Sequence, residues 1–203
     1  MIVGAGGHAA VVAEAAGLAG IWQDICFVDD RYPDVTEVIG LPVIGDLSAL
    51  ELPGTEDYIV AIGDNRTRLR LHAKVEASGG HMVSVLHPTA AVSPSAILLP
   101  GTVVLAQAAI NAKSLIGAAC IVNTGATVDH DCRLGNGVHL SPGVHLAGGV
   151  TLGDRAWVGI GASVINNVVV GPDAMVAAGA VVIGDITSSM KVAGVPAREM
   201  DSP

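Results

Sequence analysis

Aromatic side chains are nearly absent from this chain. Two Trp, two Tyr and one Phe make up 2% of its 203 residues, while 51% are hydrophobic. Val, Ile, Leu and Ala must therefore fill the core in thin, regular layers, which favours a repetitive solenoid over an ordinary sandwich. Runs of basic charge are also missing. Ten Lys and Arg are scattered among nineteen Asp and Glu, a formal net charge of −9. Neither a nucleic-acid partner nor an acidic membrane surface is expected. No apolar stretch approaches the ~18–20 residues of a membrane span, and the N-terminus lacks the basic and apolar regions of a secretory signal. The expected setting is cytoplasmic. Met1 leads within three residues into a Gly-rich turn, so the first strand reads as cut short. The three Cys form no C-x-x-C pair, and Cys120 and Cys132 fall at equivalent repeat positions where small residues are required. They are expected to fill space rather than to bind metal or form a disulfide.

What the chain does contain is a period of six. From Val92 through Leu98, Val104, Ile110, Ile116, Val122, Val128 and Leu134, and on through Leu140, Leu146, Leu152, Val158, Val164, Val170 and Val176 to Val182, all sixteen positions are Val, Leu or Ile. Four residues beyond each stands a small or β-branched residue, from Ala96 and Thr102 to Ala174 and Ala180. Six matches neither the helical period nor simple strand alternation. It fits a triangular coil with one inward aliphatic residue per side and a little over five coils. Counting the aliphatic residue as the first of each hexad, Gly117, Gly135, Gly153, Gly159 and Gly171 stand second, where corners with unusual torsions are expected. No insertion interrupts the register, so any chemistry must lie on the outer faces or between subunits. Such prisms commonly trimerise.

Residues 1–88 read differently from the repeat domain, 89–203 with its C-terminal tail. A strand end at Met1–Val3 precedes Gly4-Ala5-Gly6-Gly7-His8-Ala9 and a helical stretch from Ala9 to Ala19. Strands at Ile25–Val28, Pro42–Ile44 and Tyr58–Ile62, a helix over Thr67–Ser78 and a strand at His81–Leu86 complete a small parallel βαβ sheet. Gly4-x-Gly6-x-x-Ala9 between strand and helix has the form of a phosphate cradle, with a plain tight turn as the alternative. Asp29, ending the second strand, stands where a ribose hydroxyl is caught. The segment is short for a full dinucleotide fold and suits half of one. Asn65 and Arg66 follow a buried strand at the ligand-binding edge; a simple helix start at Asp64/Asn65 is the competing reading.

His130 occupies the third, outward hexad position in Val128-Asp129-His130-Asp131-Cys132. A solvated His is the usual fate there, but a carboxylate beside a His also orients the ring and raises its basicity, as a general base requires. His139 and His145 share the last hexad position on adjacent sides. A zinc site from the three would need a neighbouring subunit, and no metal is expected.

Gly4–Ala9, Ile62-Gly63-Asp64-Asn65-Arg66, Asn123-Thr124-Gly125, Val128–Cys132 and Gly194-Val195-Pro196-Ala197-Arg198 occur in this order over the whole chain. As a set they resemble the NeuD/PglD-like bacterial nucleotide-sugar acetyltransferases, the sialic-acid O-acetyltransferase and bacillosamine N-acetyltransferase family. Residues 121–135 are most similar to the corresponding run of its GDP-perosamine N-acetyltransferases. The resemblance implies a left-handed parallel β-helix behind a Rossmann-like α/β half domain. It also implies transfer of an acetyl group from acetyl-CoA to the 4-amino group of a nucleotide-linked 4-amino-4,6-dideoxy sugar. By that resemblance His130 is the base and Asp131 holds its ring. Bacillosamine enzymes carry Glu at this second position, so the contact here is expected to be shorter or rearranged. His139, the Gly148 amide, Ile160, Gly161 and Ala178 would meet acetyl-CoA, with Gly148 as donor to the thioester oxygen. Gly6, Gly7, His8, Asp29, Asn65 and Arg66 would hold the nucleotide diphosphate, and Asn123 the sugar. A homotrimer with active sites between subunits is implied. Sugar O-acetylation and a non-catalytic nucleotide-sugar scaffold are the alternatives; His130 and the intact Gly194–Arg198 tail oppose the scaffold.

Overall fold

A computed structural model describes residues 1–51 and 56–200. The N-terminal half is a six-stranded sheet in the order β3-β4-β2-β1-β5-β6. The strands are β1 (Ile2–Val3), β2 (Phe27–Val28), β3 (Glu37–Val38), β4 (Leu41–Gly45), β5 (Asp57–Val60) and β6 (His81–Met82), with α1 (Gly7–Ala19) and α2 (Asn65–Ala77). All neighbours pair in parallel except β3 and β4. That hairpin carries little sequence signal: it turns through Ile39 (φ 48) and Gly40 (φ 80), and only the glycine favours such a turn. The first helix begins at Gly7 rather than Ala9, and ends at Gly20 in the left-handed conformation. Its buried face is Ala9, Val12, Ala13, Ala15 and Ala16, small enough to lie close to the sheet. Asp64 caps α2 by accepting the Thr67 amide at 2.8 Å, so the helix-start reading holds for that residue.

The strand expected over His81–Leu86 is two strands in two sheets. After β6 the chain crosses to β7 (Val85–Leu86), which pairs with Val103–Val104 and forms the first rung of the prism. From there two-residue strands follow every six residues and stack in parallel on strands eighteen residues away, building three faces. The first face includes Ile121–Val122, His139–Leu140, Trp157–Val158 and Met175–Val176. The second includes Ala109–Ile110, Thr127–Val128, His145–Leu146 and Ser163–Val164, and the third Leu115–Ile116, Arg133–Leu134, Thr151–Leu152 and Val169–Val170. The inward aliphatic residues form one continuous core from Val104 to Val192. At the end, Lys191–Ala193 pairs with Arg198–Glu199 in an antiparallel hairpin.

The glycines of the second hexad position serve a different purpose from the one expected. Their torsions are ordinary. A Cβ on Gly117, Gly135, Gly153, Gly159 or Gly171 would stand 2.4–2.7 Å from the next coil, so these positions must be bare for coils to stack. The left-handed torsions fall at the fourth position: Gly101, Gln107, Lys113, Ala119, Gly125, Asp131, Gly137, Gly143, Gly149, Arg155, Gly161, Asn167, Asp173 and Gly179 all have φ between 53 and 77.

The two halves are joined by a buried charge. Arg68 is 0% exposed. Its guanidinium donates to Ala119 O and Gly137 O of the prism, to Ile62 O and Gly63 O, and to Asn65 Oδ1, at 2.8–3.0 Å. Asn65 Nδ2 in turn donates to Arg155 O at 2.9 Å. Beside it, Asp173 receives both Arg155 and Arg66. Around this staple, Val85, Val103 and Leu105 pack with α1, so the N-terminal half lies over the first face.

Candidate active site

The corner between the second and third faces carries His130 and two carboxylates. Val128 and Cys132 point inward, which leaves Asp129, His130 and Asp131 outside. Asp131 has φ 59, a conformation Asp tolerates better than most residues. There its Oδ2 stands 2.8 Å from His130 Nδ1. Asp129 is held by Asn111 Nδ2 at 3.0 Å and accepts the His130 amide at 2.8 Å. The hydrogen bond to Asp131, aided by the Asp129 charge, raises the His130 pKa above its ordinary 6.5. With the Nδ1 proton directed at Asp131, Nε2 carries the free lone pair. The Glu-to-Asp departure from the bacillosamine enzymes thus leaves a direct contact.

Gly148 lies one coil further on, under the ring. A Cβ there would stand 2.6 Å from His130 Cε1 and 2.7 Å from Nε2. Only glycine lets the imidazole lie over this peptide. The Gly148 amide donates to no acceptor among the described residues. The His130 ring and the bare Gly148 donor therefore share one open groove of about 410 Å³, lined by residues 129–131, 147–149, Asn166 and Asn167.

Ile160, Gly161 and Ala178 come together on another corner, between the first and second faces. Gly179 N donates to Ile160 O at 2.8 Å, and Gly161 N to Pro142 O at 3.0 Å. Gly125, Gly143, Gly161 and Gly179 make this corner a ridge of side-chain-free backbone. Asn123 lies in the same corner, its Oδ1 accepting the Thr124 amide at 2.9 Å. His139 is not on that ridge. It sits on the first face beneath the N-terminal half, 9% exposed, stacked on Trp157 with centroids 5.4 Å apart. The Gly63 carbonyl faces the ring, but neither ring nitrogen makes a well-formed hydrogen bond among the described residues. Burial, with Arg68 and His8 nearby, brings its pKa to about 3. Trp157 follows His139 by one coil, and the eighteen-residue spacing is the signal that could have foretold the pair.

The glycine-rich segment Gly4–Ala9 joins β1 to α1. Gly4 has φ 104, and a Cβ there would press on Ile62 Cγ1 at 3.1 Å and Ala61 O at 3.2 Å. Gly6 and Gly7 face open space, and Gly6 starts α1 with no side-chain cap. Their amides donate to no acceptor among the described residues and lie at the positive end of the helix. Asp29 holds this loop: Oδ2 accepts the Ala5 amide at 2.7 Å, and Arg31 Nε binds Oδ1 at 2.7 Å. Mainly through Arg31, its pKa falls to about 2. His8 Nε2 is buried without a partner, and burial lowers the ring's pKa to about 4. Arg66 is exposed and paired with Asp173. Asn65 is buried at the domain junction, where both ends of its amide are occupied. The buried staple Arg68 carried no motif and was invisible to sequence reasoning.

A parallel prism with a carboxylate-held His over a bare amide, joined to an α/β half domain, has the make-up of a hexapeptide-repeat acyltransferase. Comparison with known proteins agrees at both ends. Residues 1–75 match the model of the PglD N-terminal domain, and residues 149–184 that of the bacterial transferase hexapeptide (six repeats). A histidine-to-alanine variant of GDP-perosamine N-acetyl transferase from Caulobacter crescentus, in complex with CoA and GDP-perosamine, is 46% identical with TM-score 0.94, over 99% of this chain and 96% of that one. The acetyltransferase domain of PglB from Neisseria gonorrhoeae, in complex with acetyl coenzyme A, is 43% identical with TM-score 0.95, over 98% of this chain and 97% of that one. A Saccharomyces cerevisiae protein described as an acetyltransferase is 44% identical over 48 residues, 24% of each chain. The chain belongs to the PglD-like, acetyl-CoA-dependent nucleotide-sugar N-acetyltransferases.

Proposed function

We propose that this enzyme transfers the acetyl group of acetyl-CoA to the 4-amino group of a nucleotide-linked 4-amino-4,6-dideoxy sugar, GDP-perosamine-like or UDP-bacillosamine-type. The observation that carries this reading is the His130–Asp131 pair lying over the unpaired Gly148 amide. The neutral amine attacks the thioester carbonyl, and the oxygen, as its charge develops, takes the Gly148 N–H. His130 Nε2 accepts the amine proton while Asp131 stabilises the imidazolium. The intermediate collapses by breaking the C–S bond, and the proton passes to the departing sulfur, releasing CoA and the amide. No covalent enzyme intermediate is needed, because both substrates meet directly. Cys132 and Cys120 are buried thiols with raised pKa and are poor nucleophiles.

Acetyl-CoA would lie along the Ile160–Gly161–Ala178 ridge, and the nucleotide diphosphate at Gly6, Gly7 and His8 with Asp29 beyond. The ridge and His130 occupy different corners of one prism, so a second subunit brings them together, and a homotrimer satisfies this threefold. His139, neutral and unpartnered, would accept or donate a hydrogen bond at the inner end of the cleft; Arg66 and Asn123 would flank the sugar nucleotide. The setting is cytoplasmic, and the acetamido sugar feeds polysaccharide assembly. Among the described residues no helix is long and apolar enough to cross a membrane.

A thiol-reagent assay for CoA release, run over GDP-, UDP- and dTDP-linked amino sugars, tests the reading. Release with at least one of them is expected. Release only with hydroxyl sugars would replace N-acetylation by O-acetylation.

A further inference from the structure

Beneath the corner that carries His130 runs a ladder of side-chain hydrogen bonds. At the fifth hexad position a side chain points into the core, and where it holds a donor it reaches a carbonyl fifteen residues on. Ser114 Oγ donates to Asp129 O at 2.7 Å, and Cys132 Sγ donates to Ala147 O at 3.3 Å. The Cys132 amide donates to Ser114 Oγ at 3.2 Å, which makes the two one ladder. Both residues are at most 1% exposed. The carbonyls they hold belong to the peptide units Asp129–His130 and Ala147–Gly148. A peptide is planar and trans, so an oxygen fixed toward the core directs its N–H away from it. One of these units carries the base, and the other carries the unpaired Gly148 donor.

From this ladder we infer that Ser114 and Cys132 are positioning residues, setting from beneath the two peptide planes on which the base and the oxyanion donor stand. The inference rests on the acetyltransferase reading above. Burial raises the Cys132 pKa, so the thiol keeps its proton and remains a donor near neutral pH. The next residues of the same column, Val150 and Val168, hold no donor and lie under no reacting group. The corner between the third and first faces contains an equivalent ladder: Thr102 Oγ1 donates to Gly117 O at 2.9 Å and Cys120 Sγ to Gly135 O at 3.1 Å. That ladder has the same burial and the same bonds but no reacting group above it, so it serves as an internal control.

Steady-state kinetics with acetyl-CoA and an accepted amino sugar test the assignment. Cys132→Ala should lower kcat about tenfold, part of the 10²–10³ lost when an oxyanion donor is removed outright, with the KM for acetyl-CoA unchanged. Cys132→Val, matched to Val150 in the same column, should behave alike if the alanine variant folds poorly. Cys132→Ser restores a donor of the kind Ser114 supplies and should recover most of the rate. Cys120→Ala should lose similar thermal stability while keeping the wild-type kcat. Wild-type kcat in Cys132→Ala or Cys132→Val, or an equal loss in Cys120→Ala, would overturn the inference while leaving the acetyltransferase reading intact. A wild type that releases no CoA with any nucleotide amino sugar would overturn both.

Discussion

The two halves of this molecule build their binding surfaces in opposite ways. The N-terminal half has one copy of each feature. Where β1 ends and α1 begins it leaves backbone amides bare, and Asp29 holds that loop in shape. The prism has many equivalent copies of one corner, and function resides where a copy departs from the rest. Among the described residues, the second-to-third-face corner alone stacks an Asp-held His on a glycine with an open amide. In an irregular fold a site is found by position on the sheet edge; in a solenoid it is found by looking for the exceptional hexad.

The contrast predicts that mutations in the prism corner act on turnover and those in the cradle act on substrate affinity. The largest effect is expected for His130→Ala, with kcat down by about 10²–10⁴ and nucleotide-sugar binding by calorimetry unchanged. Full activity in that variant would remove the base from the mechanism. Arg68→Met attacks the boundary between the halves. It leaves Ala119 O, Gly137 O and Asn65 Oδ1 buried without their donor, at about 1–3 kcal/mol each. Denaturant unfolding should show a loss of several kcal/mol and separate transitions for the two halves; a single unshifted transition would show that the staple is dispensable. Gly148→Ala drives a methyl into the His130 ring and should cost about 10²–10³ in kcat with little change in melting temperature.

In the N-terminal half, Gly7→Asp fits sterically but sets a carboxylate beside the diphosphate. The KM for the nucleotide sugar should rise on the order of tenfold, with kcat and the acetyl-CoA KM preserved; a kcat defect instead would blur the division between halves. The smallest and most specific effect concerns pH. The Asp131 carboxylate favours the protonated form of His130 and holds its pKa above 6.5, so wild-type kcat/KM should fall as pH drops through that raised value. Asp131→Asn lowers the pKa and should move the acid limb to lower pH. An unmoved limb would assign the titration to another group.

How much could be read from the chain depends on the range of the forces involved. The coil was legible because each inward residue repeats locally. The role of Gly117 and its equivalents was not: their Cβ would collide with residues in the next coil, a contact that a six-residue period does not display. His130 and Asp131 are neighbours in sequence, so their pairing was legible as well. His139 was placed on an outer face correctly, but its burial under the N-terminal half comes from packing between distant segments. The part Asn65 plays in tying the halves together was not legible, because Arg68 and Arg155 O lie within its reach only in the folded chain.

The sequence by itself determined the solenoid, the α/β half that precedes it and the pairing of His130 with Asp131, since each is written in residues close together along the chain. Tertiary structure alone decided that Gly148 lies under the imidazole, that Ser114 and Cys132 brace the two peptides of the site, and that a buried arginine welds the halves. Those arrangements join residues that are close only after the coils have stacked.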